Sequence, residues 1–279
     1  MALYTSSAGV GGILPDDYGN LVIQPVVRNS IFAQVATIVV TDANEYRVPV
    51  VEADVTAGWF AEGQEISPSD PTLNELVLVP RKVAALTTIS EELANDSDPN
   101  AAEIVGGSIA RALVEQIDRA AFTAAAAPAP AGLSTLTGIQ SYTGGAATFQ
   151  NLDFAAEAIS KAETVGATIT SFVTSPATAL ALAKIKEASG SNKPVLGSDP
   201  TQPTSRNILG VPLLVSPYIA ANTLWAVDRS RLYFVVRQGA TVEADRSVYF
   251  TSDRVAIKGK MRATFGFVHP ASVVKVTLA

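Results

Sequence analysis

Few side chains in this sequence can do chemistry. There is no cysteine and one histidine, His269, which removes disulfides, thiolate nucleophiles and multi-histidine metal centres. A serine triad would have to use His269, yet it precedes Pro270 near a strand end; a capping or interface hydrogen bond is its expected role. Glu52, Asp54, Glu62 and Glu65 can be imagined as acid/base pairs or cation ligands. They lack the alternating spacing of a calcium loop and read as solvated or intersubunit charges. Lys258, Lys260 and Arg262 alternate along one strand pattern. Such side chains project on one side about 6.8 Å apart, a stripe that can meet phosphate, solvent or acidic neighbours. Trp59 and Phe60 can stack on a base or anchor a neighbouring subunit, and aromatic anchors dominate interface cores. No phosphate-binding GxxxxGK[ST] loop or GxSxG elbow occurs, and Gly9-Val10-Gly11-Gly12 does not complete GxGxxG. The expectation is no catalytic residue, no cofactor and no metal.

The elements that must position these residues are mixed. Residues 1–20 are rich in Gly, Ser and Ala and read as an arm that orders only against a neighbour. Residues 21–37 alternate irregularly, with Pro25 breaking any long helix. Residues 38–56 read as strand, with Pro49 requiring an edge position. Strand returns over 73–80 and 83–89, around a turn-rich tip at 58–71. A hairpin this long with little to pack on is marginal in water and is expected to lie on another subunit. A short helix is expected over 90–95 behind Ser90, then a long one over 99–126 behind Asp98 and Pro99, on the order of 40 Å long. Its apolar stripe is Ile104, Ile109, Leu113, Ile117 and Ala120 or Ala121; Arg111, Glu115 and Arg119 pair on the other side. Gly106-Gly107 inside it is a weak spot, a close contact or a bend point. Residues 124–147 read as linker. Helices over 151–165 and 176–188 flank a strand at 169–173. A polar loop (189–206) precedes short strands near 211–215, 223–227 and 232–236. Residues 255–268 alternate strictly, with Val255, Ile257, Gly259, Met261, Ala263, Phe265 and Phe267 on the buried face. A final strand covers 272–278.

Composition sets the class. The 279 residues suggest about two domains. Net charge is −6 and the pI about 4.9, opposite to a protein that coats DNA by charge. Charged residues are 16%, against about 25% in an average domain, and alanine alone supplies 44 residues. A surface so poor in charge points to extensive subunit contact. No run approaches the roughly 18 apolar residues of a membrane span, and the first residues lack the pattern of a signal peptide. The expected location is the cytoplasmic side, unless a larger particle carries the protein out.

The order of parts resembles the major capsid protein of tailed bacteriophages with the Hong Kong 97 fold. Trp59-Phe60-Ala61-Glu62-Gly63 and Ser69-Asp70-Pro71-Thr72-Leu73 are similar to the tip of the family's E-loop. Leu86 to Ser97 looks like the stretch leading to its spine helix. Ile208-Leu209-Gly210-Val211-Pro212-Leu213 and Trp225-Ala226-Val227-Asp228 look like axial-domain strands, and Phe267 to Val274 resembles the last peripheral-domain strands. The resemblance implies an α+β fold with an N-terminal arm (1–35), E-loop hairpin (36–86), spine helix and peripheral domain (87–127), axial domain (128–236) and closing peripheral strands (237–279). It implies a shell subunit, not an enzyme, forming hexamers and pentamers of an icosahedral virion capsid around double-stranded DNA, without sequence-specific binding or membrane contact. Assembly would occur in the bacterial host cytoplasm, with scaffolding, portal and cement proteins as possible partners. Expected subunit contacts are Trp59, Phe60 and Glu62 at the tip, with Arg81, Lys82, Lys258, Lys260 and Arg262 as ionic partners. The family's type member cross-links an E-loop lysine to an asparagine, aided by a glutamate. Here the tip has Gly63 and Gln64 and no lysine, Asp253 falls near the asparagine and Lys260 near the glutamate, so a non-covalent shell is expected. The type member's cleaved scaffolding segment has no counterpart before this arm, so scaffolding is expected to be separate or absent.

Alternatives are a bacterial encapsulin, a nanocompartment shell of the same fold told apart by protein rather than DNA contents, and an α/β enzyme, which would need a convergent polar cluster. A phage tail or decoration protein fits the composition but not the long capped helix.

Overall fold

The computed structural model describes residues 30–92, 101–144, 149–188, 190–196 and 206–278. Residues 1–29 of the expected arm, the Asp98–Pro99 helix start and residues 93–95 of the expected 90–95 helix lie outside them; Ser90, expected to cap that helix, instead ends the strand Arg81–Ser90. The first described element, α1 (Ile31–Val35), starts behind Ser30, whose hydroxyl accepts the Ala33 amide at 3.2 Å. Sequence patterning does not reveal it, because five residues have no helical stability of their own. Tertiary contacts hold it instead.

Strands β1 (Thr37–Val40), β2 (Tyr46–Ala53), β3 (Thr72–Leu78) and β4 (Arg81–Ser90) follow. The single strand expected over 38–56 is thus two. β2 pairs only with β3, antiparallel, which satisfies the edge requirement of Pro49. The long helix α2 runs Ala101–Phe122. It stops short of the predicted residue 126, with the Thr123 hydroxyl donating back to the Arg119 carbonyl at 2.6 Å. Ser134 donates to the Phe122 carbonyl at 2.5 Å and closes the end. The expected linker contains a strand, β5 (Gln140–Gly144). Then come α3 (Asp153–Thr164), β6 (Ser171–Thr174), α4 (Pro176–Ala183), β7 (Asn207–Ile208), β8 (Val211–Val215) and β9 (Thr223–Val227). α4 ends before the predicted 188, as Lys186 turns into a β-bridge with Pro194. The chain closes with β10 (Leu232–Tyr249), β11 (Arg254–Phe267) and β12 (Val274–Leu278). β10 is 18 residues long, not the short strand expected over 232–236.

Two main sheets result, ordered β1-β10-β11-β4 and β5-β12-β9-β6-β8-β7. Their strands cross the segments expected from sequence. Tyr233–Val236 pairs with β1 in the four-stranded sheet, and β12 lies between β5 and β9 in the six-stranded one.

Helix α2 covers one face of the four-stranded sheet. Ile109, Leu113, Ile117 and Ala121 are buried with Val255, Ile257 and Met261 of β11, beside Val83, Ala85 and Ile89 of β4. The approach is so close that a Cβ on Gly259 would lie 2.2 Å from Ile109 Cγ2. Ile104, predicted on the stripe, is exposed. Arg119 pairs with Glu115 at 3.1 Å as the spacing predicts. The chain stays helical through Gly106-Gly107, and a Cβ on Gly106 would meet nothing within 4 Å, so no close contact inside the subunit requires glycine there.

α1 is bound to α2 by Asp118, which is buried. Its carboxylate accepts from Ser30 Oγ (2.6 Å), the Ile31 amide (3.0 Å) and the Phe32 amide (3.1 Å). Burial pushes its pKa up, while these three donors, which need an unprotonated acceptor, pull it down. Phe32 then enters an aromatic cluster, edge-on to Phe265 at 4.7 Å and Phe122 and Phe234 at 6.0 Å.

A separate core, with Phe154, Ala158 and Ala162 of α3, Phe172, Leu182, Leu224, Val274 and Val276, fills the six-stranded side.

Candidate intersubunit surface

Among the described residues, the hairpin of β2 and β3 is anchored at its stem alone. Val48 and Leu78 are buried against Val235 on the back of the four-stranded sheet. A Cβ on Gly266 would lie 2.5 Å from Leu78 Cδ1, so glycine is what lets the stem seat. This cover also buries Thr264 and Gly266, which alternation had placed on the open face of β11. Beyond the stem every residue from 51 to 75 is exposed. The tip is a tight turn in which the Gln64 amide donates to the Ala61 carbonyl at 3.1 Å and Gly63 takes φ +83°, as the third position of a type II turn requires. Trp59 is 105% and Phe60 46% exposed. Glu62 lies in the same turn, and residues 52–70 carry five carboxylates (Glu52, Asp54, Glu62, Glu65, Asp70) with no Lys or Arg.

The basic candidates lie on the four-stranded sheet. Val255, Ile257, Gly259, Met261, Ala263, Phe265 and Phe267 are buried as predicted, so Lys258, Lys260 and Arg262 project from the other side of β11. Glu243 on β10 takes Lys258 at 3.2 Å and also bonds Lys260. These bonds, Lys260 first, lower the Glu243 pKa. Arg262 instead stands directly opposite Lys82 of β4, and Arg81 opposite Ala263. Among the described residues neither Lys82 nor Arg262 has an ion-pair partner. The sheet thus holds an uncompensated cationic spot beside a compensated pair. The structure does not bring Trp59, Phe60 or Glu62 to this spot within one subunit.

Sequence reading passed over the far end of β10 and β11. There Arg246 pairs with Glu91 at 3.2 Å, Asp253 turns the chain at φ +47°, and Phe250 and Val248 are exposed. The length of β10 was the missing signal. His269 makes no side-chain cap; its carbonyl accepts from Ser272, while its buried Nδ1 has no partner. Burial, then nearby Arg231, lowers its pKa. Among the described residues no group of three or more metal-ligating side chains converges, and no helix is long and apolar enough to cross a membrane.

The same arrangement of elements occurs in solved phage-type shells. The capsid of a native GTA particle with C5 symmetry matches with TM-score 0.74 and 20% identity over 100% of both chains. A structure from Mycobacterium phage Adephagia matches with TM-score 0.74 and 17% identity over 90% of each chain. One from Microbacterium phage Oxtober96 matches with TM-score 0.73 and 19% identity over 90% of this chain and 91% of that one. No curated protein sequence matches. The expected Hong Kong 97 architecture is therefore the observed one, and the encapsulin alternative is not favoured. The model of the phage capsid family matches residues 10–278: this chain belongs to the phage capsid family and is a structural subunit of the head shell.

Proposed function

We propose that this subunit forms hexamers and pentamers that tile an icosahedral head around double-stranded DNA, joined without covalent cross-links. The hairpin tip carries this reading. A free subunit gains nothing by holding Trp59 and Phe60 in water, whereas burying large apolar side chains is worth about 1.5–3 kcal/mol each. Trp59 and Phe60 would anchor on a neighbour, and Glu62 with its four companion carboxylates would seek cations. Lys82 and Arg262 are the best-suited receivers, since neither is neutralised at home. Arg81, Lys258 and Lys260 flank them. Use of Lys260 by Glu243, and the absence of lysine from residues 52–70, support a shell without the lysine–asparagine bond. The net charge of −6 suits a container that does not grip its genome through counterion release. The arm (1–35), hairpin (36–86), spine (87–127), axial (128–236) and closing peripheral (237–279) division remains our working description, with strand exchange between sheets as above. Scaffolding, portal and cement proteins are candidate partners, and host cytoplasm the site of assembly.

Negative-stain microscopy of the native protein with a nuclease-protection assay tests this. Closed icosahedral shells holding nuclease-resistant DNA are expected. Shells filled with protein, or a dispersed species near 29.0 kDa with scaffold and portal supplied, would overturn it. Particles boiled in detergent should run as a single monomer band; a ladder would refute the non-covalent reading.

A further inference from the structure

Left-handed backbone marks places where ordinary side chains are disfavoured. Among the described residues Gly63, Gly138, Gly166, Gly190 and Gly210 occupy such positions, together with Asn222 (φ +59°) and Asp253 (φ +47°). All are types that tolerate it. Leu209, at φ +50°, is the exception. It and Gly210 (φ +83°) form the two-residue turn between β7 and β8. Positive φ at both central positions is the hairpin geometry that favours Asn-Gly. The Leu209 side chain is also 53% exposed. Leucine is therefore unfavourable here on two counts, backbone and solvent, and among the described residues nothing offsets either. A third observation concerns the surroundings. β7 is the outer strand of the six-stranded sheet; exposed Arg206, whose carbonyl accepts from the Leu213 amide at 2.7 Å, stands at its start, while residues 207–215, the turn included, contain no charged side chain. Open edges are ordinarily guarded by charge.

We infer that the β7–β8 turn is a contact between copies of this chain, with Leu209 seated as an apolar knob on the neighbouring copy. An uncharged, apolar turn fits a permanent partner, since permanent interfaces are the more hydrophobic class. For a shell subunit the permanent partner is itself; in this the inference rests on the shell reading above.

The turn supplies its own test, because the substitutions that remove the knob also relieve the backbone. Leu209→Asn and Leu209→Gly both suit the turn, so the isolated subunit should melt at the same or a higher temperature. The concentration for half-assembly, followed by light scattering and sedimentation, should rise about tenfold. Leu209→Met, which keeps an apolar knob, should assemble nearly as the parent does. If the parent forms shells and Leu209→Asn assembles at the same concentration, the contact is refuted while the shell reading stands. Assembly lost only together with subunit stability would also refute it, as would normal assembly with loss of a different bound protein. A parent that forms no shells overturns both readings.

Discussion

At the scale of single residues, Asp118 does most to tie distant parts of the sequence together. Its carboxylate joins α2 to residues 30–32 through three donors, and so fixes where the chain enters the aromatic core. Replacing it with alanine strands those buried donors. Asp118→Ala should cost roughly 2–3 kcal/mol of unfolding free energy in chemical denaturation, with Ser30→Ala costing less because two backbone donors keep their acceptor. His269 sets a pH dependence. Its folded pKa lies below the ordinary value of about 6.5, so folding favours the neutral ring. The stability it contributes is complete above that value and is lost as the pH falls through the lowered folded pKa. Melting temperature should therefore drop on acidification below about pH 6.5, and His269→Leu should remove that component. As the sole histidine, it gives one imidazole signal by NMR, and a midpoint at or above 6.5 would contradict the burial argument.

Among the elements, the contact of α2 with β11 is the least tolerant of added volume. Gly259→Ala would drive a methyl into Ile109 and should destabilise by about 1–3 kcal/mol. Because the clash is with one side chain, adding Ile109→Ala should recover part of that loss, a coupling that a double-mutant cycle measures. The two elements of this pair were legible to different degrees. β11 was read to within a residue because one side of it is apolar at every second position from Val255 to Phe267, although Ala256, Thr264 and Gly266 on the other side are buried as well. β10, its partner, was seen over its first five residues only. Register shifts at Val236/Gln238 and Gln238/Thr241 each insert one extra residue and so reset which side faces the core, breaking the period of two, and a further irregularity follows between Asp245 and Tyr249. α1 was invisible for another reason: its stability comes from Asp118 and Phe32's ring neighbours, contacts across more than 80 positions, which no local pattern records.

For the whole molecule, the exposed hairpin separates stability from assembly. Trp59→Ala with Phe60→Ala should leave subunit melting unchanged within experimental error, because neither ring touches a core, and should abolish or strongly weaken shell formation seen by sedimentation. Equal loss of melting temperature would show that the tip folds back on its own subunit. The tip was legible because exposed aromatics amid turn residues are conspicuous in sequence. The receiving surface was less so: Lys82 and Arg262 become a pair only through the β4–β11 register, and Glu243 was not recognised as the partner that neutralises Lys258 and Lys260. The position of β12 carries one more consequence, in time rather than space. It is inserted between β5 and β9, and β1 likewise waits for β10. A chain still emerging from the ribosome has the four-stranded sheet incomplete until β11 is made and the six-stranded sheet incomplete until β12 is made. Nascent or prematurely ended polypeptides then present an open slot with unpaired backbone on both sides, a target for proteases and chaperones.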